Sequence, residues 1–182
     1  NRLLRSELDL ARKIQSGLLP EKYDDGRIRF SYIYKPSHTV GGDFLGFYKP
    51  DASHAAVFIA DVQGHGVPAS LLTVFLHSAL DKTELSPAKA LTSLYEKYNT
   101  SGLDPHLYIT VILTIIDLKT LEIKYSNAGH SASPIVFGNG RFEILRSPGI
   151  PISNWLEKPE YYDRSFNLKA GEKILYLTDG LL

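Results

Sequence analysis

The stretch His54-Ala55-Ala56-Val57-Phe58-Ile59-Ala60-Asp61-Val62-Gln63-Gly64-His65-Gly66 decides how the rest of the chain is read. Its first part is apolar without alternation, which predicts a strand buried on both faces. The run closes on Asp61, a carboxylate at the mouth of a buried strand. That position is costly unless something positive meets the charge. A hard divalent cation held by oxygen ligands meets it well, and hydrolysis is the chemistry that usually follows. Gly64 and Gly66 let the backbone turn sharply and come close to a ligand. The loop can then offer the Val62 carbonyl beside the Asp61 carboxylate. The same Gly-His-Gly also reads as no more than a tight strand-to-helix turn.

Two further aspartates sit in comparable places. Asp43 follows the glycines of Val40-Gly41-Gly42, and Asp179 closes Leu175-Tyr176-Leu177-Thr178-Asp179-Gly180. Taken singly, each has a plain alternative as a turn residue bonded to backbone amides. As a set, Asp43, Asp61 and Asp179 at the ends of apolar or glycine-rich segments predict one cation-holding cluster. Oxygen donors favour Mg2+ or Mn2+ over Zn2+. His65 reads as a proton donor or a loop cap. His130, in Asn127-Ala128-Gly129-His130, reads as a turn into the site or a packing element. No P-loop, Gly-x-Gly-x-x-Gly fingerprint or Gly-x-Ser-x-Gly elbow occurs.

Outward from this stretch, residues 1–19 read as a helix that Pro20 ends. Leu4, Leu8, Ala11, Gln15 and Leu18 follow heptad spacing, with Leu3, Leu10 and Ile14 as a second apolar line. Such a helix can dock on its own domain or serve as a dimerising, signal-transmitting linker. Strands are predicted over 27–35, 43–48, 54–61, 107–117, 121–126, 134–137, 141–145, 161–168 and 173–178. Helices are predicted over 68–80 and 87–98, the second with Ser86 as N-cap and Pro87 in its first turn. Residues 36–42 read as a loop, and Gly138-Asn139-Gly140 as a hairpin turn. This order predicts an α+β layered fold with mostly antiparallel sheets. The chain stops at Leu182 just after Asp-Gly, which suggests that closing sequence of the fold is missing.

The 182 residues suffice for one domain with a core. Lys plus Arg and Asp plus Glu both number 20, so zero net charge gives no support to a nucleic-acid or anionic-membrane partner. With no cysteine, disulfides and thiolate metal sites are excluded. That usage fits a reducing, cytoplasmic setting. No apolar run approaches the length of a membrane helix.

Assembled in order, the motifs resemble the bacterial branch of the metal-dependent protein phosphatases, related to protein phosphatase 2C. That branch includes the stage II sporulation phosphatase and the stress-response sigma-factor regulators. The resemblance is carried by Ala11-Arg12-Lys13-Ile14-Gln15 with Leu18-Leu19-Pro20, by Val40 to Phe44, by Ala60 to Ala69, by Tyr125 to His130 and by Tyr176 to Gly180. It implies a β-sandwich flanked by helices, with a linker or switch helix over 1–20 and a phosphatase domain over 21–182 whose C-terminal part is missing. It implies removal of phosphate from Ser or Thr by metal-activated hydroxide. Asp61 would bridge two Mn2+ or Mg2+ ions, with the Val62 carbonyl on one of them. Asp179 would bind the second ion, and Asp43 would bind directly or through water. The implied substrate is a phosphorylated partner protein such as an anti-sigma-factor antagonist domain, with the phosphatase often dimeric through its first helix. Two departures stand out. Gly46 occupies a position usually acidic in this branch, and the acidic ligand beyond Asp-Gly is absent. They leave open a regulatory module that keeps the fold and binds a partner or signals through the first helix. A hydrolase of small phosphate esters would share the same site.

Overall fold

The computed structural model describes residues 2–36 and 39–181, with side chains from residue 6 to residue 180. Its elements run α1 (Arg2–Gly17), β1 (Tyr23–Asp24), β2 (Arg29–Phe30), β3 (Asp43–Asp51) and β4 (His54–Val62). Then come α2 (Gly66–Ala79), α3 (Pro87–Thr100), β5 (Ile109–Asp117) and β6 (Glu122–Ala128). The hairpin β7 (Ile135–Gly138) and β8 (Arg141–Ile144) follows, then β9 (Arg164–Asn167), β10 (Lys173–Leu175) and a 3-10 turn, Asp179–Leu181. The described residues contain no helix long and apolar enough to cross a membrane.

Strands β3-β4-β5-β6-β9 make a five-stranded sheet and β10-β7-β8 a three-stranded one, every pair antiparallel. The side-chain period of two assigns the faces. Phe58, Ala60 and Val62 of β4, with Val111 and Leu113 of β5, pack against Leu72 and Leu76 of α2 and Leu91 and Leu94 of α3. Ile59 of β4 and Ile112 of β5 turn the other way, toward Val136, Leu145, Ile174 and Tyr176 of the smaller sheet region. The uninterrupted apolar run of β4 thus lies between helices and a second sheet, as the sequence predicts.

Local signals explain several boundaries. The Ser86 hydroxyl accepts from the Lys89 N–H, so α3 is capped as its sequence predicts. Asp163 adds a second cap, accepting from Ser86 Oγ at 2.6 Å and from the Ala88 N–H at 2.7 Å. Asn139 and Gly140 both take positive φ between β7 and β8, the mirror-image turn that suits strand twist.

Three strand expectations are too long by half or more. Of 27–35 only Arg29–Phe30 pairs, with Tyr23–Asp24, because Asp25 draws the Arg27 and Ile28 amides into a local turn. Of 161–168 only Arg164–Asn167 pairs, since Tyr161 instead packs under the helices. Of 173–178 only Lys173–Leu175 pairs, and the chain leaves its neighbour before reaching the aspartate. The helix expected over 1–19 ends at Gly17. Its seam side is the docked one: Gln15 is buried and Leu18 packs on the core, while Leu10 and Ile14 are 59% and 55% exposed. Asn1 and the side chains of Leu3 and Leu4 lie outside the described residues, as do Ser37 and His38 of the predicted loop.

Candidate metal centre

Along β4 the inter-sheet face of the large sheet is apolar until its end. On β4, Ile59 is followed two residues later by Asp61; on β3, Leu45 is preceded two residues earlier by Asp43. Antiparallel register sets Asp43 directly opposite Asp61, and Asp61 opposite Thr110 on the next strand. The third aspartate arrives from the smaller sheet, where the chain beyond β10 runs through Leu177 and Thr178 to Asp179. Asp43, Asp61 and Asp179 each offer a carboxylate oxygen, and these oxygens all lie within 4.8 Å of one another. Three segments distant in sequence thus deliver acids to one end of the sandwich.

The electrostatics follow from that crowding. Burial, then the charges of Asp43 and Asp179, push the Asp61 carboxyl up to about 6. Burial likewise raises Asp43, although the Thr178 hydroxyl, donating to Asp43 Oδ2 at 2.9 Å, works against it. Like charges so close disfavour one another's ionised forms, and a cation reverses that penalty. The donor set is hard oxygen throughout, which fits a divalent ion of the Mg2+ or Mn2+ type.

The backbone is cleared for the same purpose. A Cβ on Gly42 would stand 2.7 Å from the Val62 oxygen and 3.2 Å from the Gly64 oxygen. Only glycine therefore lets this turn close beside the Val62 carbonyl, and the Val62 N–H donates to the Gly42 oxygen at 3.2 Å. Gly46 has a different setting. It lies on the opposite face of β3 from Asp43, and a Cβ there would fall 2.1 Å from the Phe58 ring. An acid at that position would point into the helix-side core, so its absence takes nothing from the cluster.

His65 occupies the N-cap position of α2 without a side-chain capping bond. His130 is buried beside the cluster, held through Thr110 and Leu177. Sequence reasoning missed three supporting residues. Thr178 holds Asp43, and Thr110 donates to the Asp61 carbonyl at 2.9 Å. Gln15 of α1 brackets Gly41, donating to its carbonyl at 2.8 Å, accepting from its N–H at 3.2 Å, and donating to Thr73 Oγ1 at 2.9 Å. A polar residue on an apolar helix seam was the available signal for Gln15. Thr110 needed the strand register.

A family model described as Stage II sporulation protein E (SpoIIE) matches residues 51–182. The chain is 29% identical over 184 aligned residues to the phosphoserine phosphatase RsbP of Bacillus subtilis, covering 98% of this chain and 45% of that protein. It spans about half the length of the curated relatives it matches first. Among solved structures, the SiaA-PP2C domain of Pseudomonas aeruginosa superposes with a TM-score of 0.77 at 22% identity, over 95% of this chain and 69% of that one. RsbX in complex with magnesium superposes with a TM-score of 0.70 at 16% identity, over 89% and 79%. These likenesses establish a fold of the protein phosphatase 2C type.

Proposed function

This chain belongs to the stage II sporulation protein E (SpoIIE) family, and from that membership and its carboxylate cluster we propose that it is a metal-dependent phosphoprotein phosphatase acting on phosphoserine or phosphothreonine. The single observation that carries the reading is the convergence of Asp43, Asp61 and Asp179. Asp61 would hold the metal together with Asp43 and Asp179, and its loss should stop catalysis. Asp43, Asp179 and the Val62 carbonyl would complete the ligand set for Mn2+ or Mg2+, with two ions expected. Such cations supply Lewis acidity toward a phosphoryl group and acidify water. The chain's own part is to hold carboxylates at a fixed spacing, keep their flanks dry and leave the outer side open, where Asp179 is exposed. The name of RsbP supports a phosphoserine substrate, and the family's resemblance to sigma-factor regulators points to a phosphorylated antagonist domain.

Residues 1–20, which include α1, serve as a linker or switch segment and 21–182 as the phosphatase domain. Gln15 supports this division, because it ties α1 to the backbone two residues before Asp43. The exposed pair Leu10 and Ile14 offers a contact for a second copy of the chain. Light scattering tests that contact: Leu10→Glu with Ile14→Glu should lower the mass of a dimer, and an unchanged mass rejects it.

The test of the activity is release of phosphate from p-nitrophenyl phosphate and from a phosphoserine-bearing antagonist domain in Mn2+, with and without chelator. Turnover that needs the metal, disappears in Asp61→Asn and favours the protein substrate supports the proposal. Equal preference for the small ester points to a general phosphate-ester hydrolase, and no turnover in the intact protein rejects catalysis.

A further inference from the structure

His130 lies in none of the ligand positions, yet it joins the two sheets at the cluster. The last ladder pair of β10 is Leu175 with Ile135, so residues 176–179 run on without a strand partner among the described residues. Asp179 is therefore delivered by a segment that the sheet has stopped holding. His130 Nε2 lies 3.0 Å from the Leu177 carbonyl oxygen, two residues before Asp179. A carbonyl only accepts, so Nε2 carries the hydrogen and donates. The other nitrogen, Nδ1, lies 3.4 Å from Thr110 Oγ1, whose hydroxyl donates to the Asp61 carbonyl.

The backbone of His130 is itself fixed. Asn127 Oδ1 accepts from the His130 N–H at 2.7 Å, and Asn127 Nδ2 donates to the His130 carbonyl at 3.0 Å and the Ser147 carbonyl at 2.9 Å. Gly129, with φ of 75° and a would-be Cβ 2.7 Å from Pro151, turns the chain so that His130 enters the sandwich. His130 is 4% exposed, and its hydrogen bond to Leu177 is part-buried, where such a bond is stronger than in water.

We propose that His130 is a positioning residue: its Nε2–H clamps the Leu177 carbonyl and so sets Asp179 against Asp43 and Asp61 for cation binding. The proposal rests on reading the cluster as a cation site. Outer-shell partners of this kind typically change metal affinity by roughly 10–100-fold.

The substitutions separate a clamp from a filler. His130→Phe keeps an aromatic ring and removes the donor; His130→Gln loses the ring and keeps an N–H at a similar reach; His130→Asn has an amide too short for Leu177. Two readouts apply to the intact protein: calorimetric titration with MnCl2, and amide hydrogen exchange of the 176–181 segment without metal. His130→Phe should bind Mn2+ roughly 10–100-fold more weakly and exchange faster in that segment, with His130→Gln close to the parent in both. Parent-like exchange and affinity in His130→Phe, with loss in His130→Gln, overturns the clamp. If the parent takes up no Mn2+, the cation reading fails, and exchange in the metal-free protein alone decides the clamp. If His130→Phe does not fold, faster exchange in His130→Asn than in His130→Gln supports the clamp, and equal exchange overturns it.

Discussion

Asp43 and Asp61 are direct cross-strand partners on the face of the large sheet that meets the second sheet. Like charges in that relationship destabilise a sheet. The fold thus carries a local cost at the place where it gathers a third acid. Replacing Asp61 by Asn should stabilise the metal-free protein by a few tenths to about 1 kcal/mol. The same variant should gain nothing from Mn2+, whereas the parent melts at a higher temperature with Mn2+ than without. Paired thermal melts with and without chelator check both halves.

The pH dependence of the metal-free protein has a definite sign. The folded state raises the Asp61 carboxyl to about 6, above its ordinary value of 3.8. The folded state therefore holds this proton more tightly than the unfolded state. Its contribution to stability is fully present below about pH 4 and is lost as pH rises through about 6. The difference in stability between parent and Asp61→Asn should change across that window and be flat above it. Urea melts of both proteins at several pH values, without divalent ions, measure this.

Gly42→Ala should damage the site more than its size suggests. The added carbon would press on the Val62 and Gly64 oxygens, a clash of the kind that costs about 1–3 kcal/mol in a packed region. Mn2+ affinity should fall in the same variant, by calorimetric titration. Gly46→Asp is the contrasting case. It should destabilise the protein through Phe58 and leave Mn2+ binding no tighter, since its side chain enters the other face.

Asp163→Ala removes acceptors from the start of α3 and should cost about 1 kcal/mol by urea denaturation. Mn2+ affinity should stay at the parent value, because α3 lies on the far side of the sheet from the cluster.

Much of this architecture was legible in the chain, for identifiable reasons. The run from Ala55 to Ala60 has no polar face, which suits only a strand covered on both sides, and the structure covers it with helices and a sheet. Ser86-Pro87 and Asn139-Gly140 are local signals whose physics is complete within a few residues, and they appear where the sequence sets them. The errors fall where tertiary context overrides a local pattern. Tyr32 and Tyr34 alternate like a strand, but among the described residues no strand pairs with them, and Tyr34 instead donates to the Asp43 carbonyl at 3.3 Å. The run Ile174 to Leu177 is apolar like a strand, yet the residues after β10 are held by side chains, Thr178 by Asp43 and Leu177 by His130. Side-chain partners of a segment leave no period in its own sequence. Gly46 shows the same dependence on context. Its identity was visible, but the face it occupies depends on the β3 register.

Calorimetric titration of the intact protein with MnCl2 tests the account most directly, run beside Asp43→Asn, Asp61→Asn and Asp179→Asn. Saturable uptake by the parent, strongly weakened in all three variants, is the predicted result. Saturable uptake that persists unchanged in Asp61→Asn, or no uptake by the parent, contradicts it.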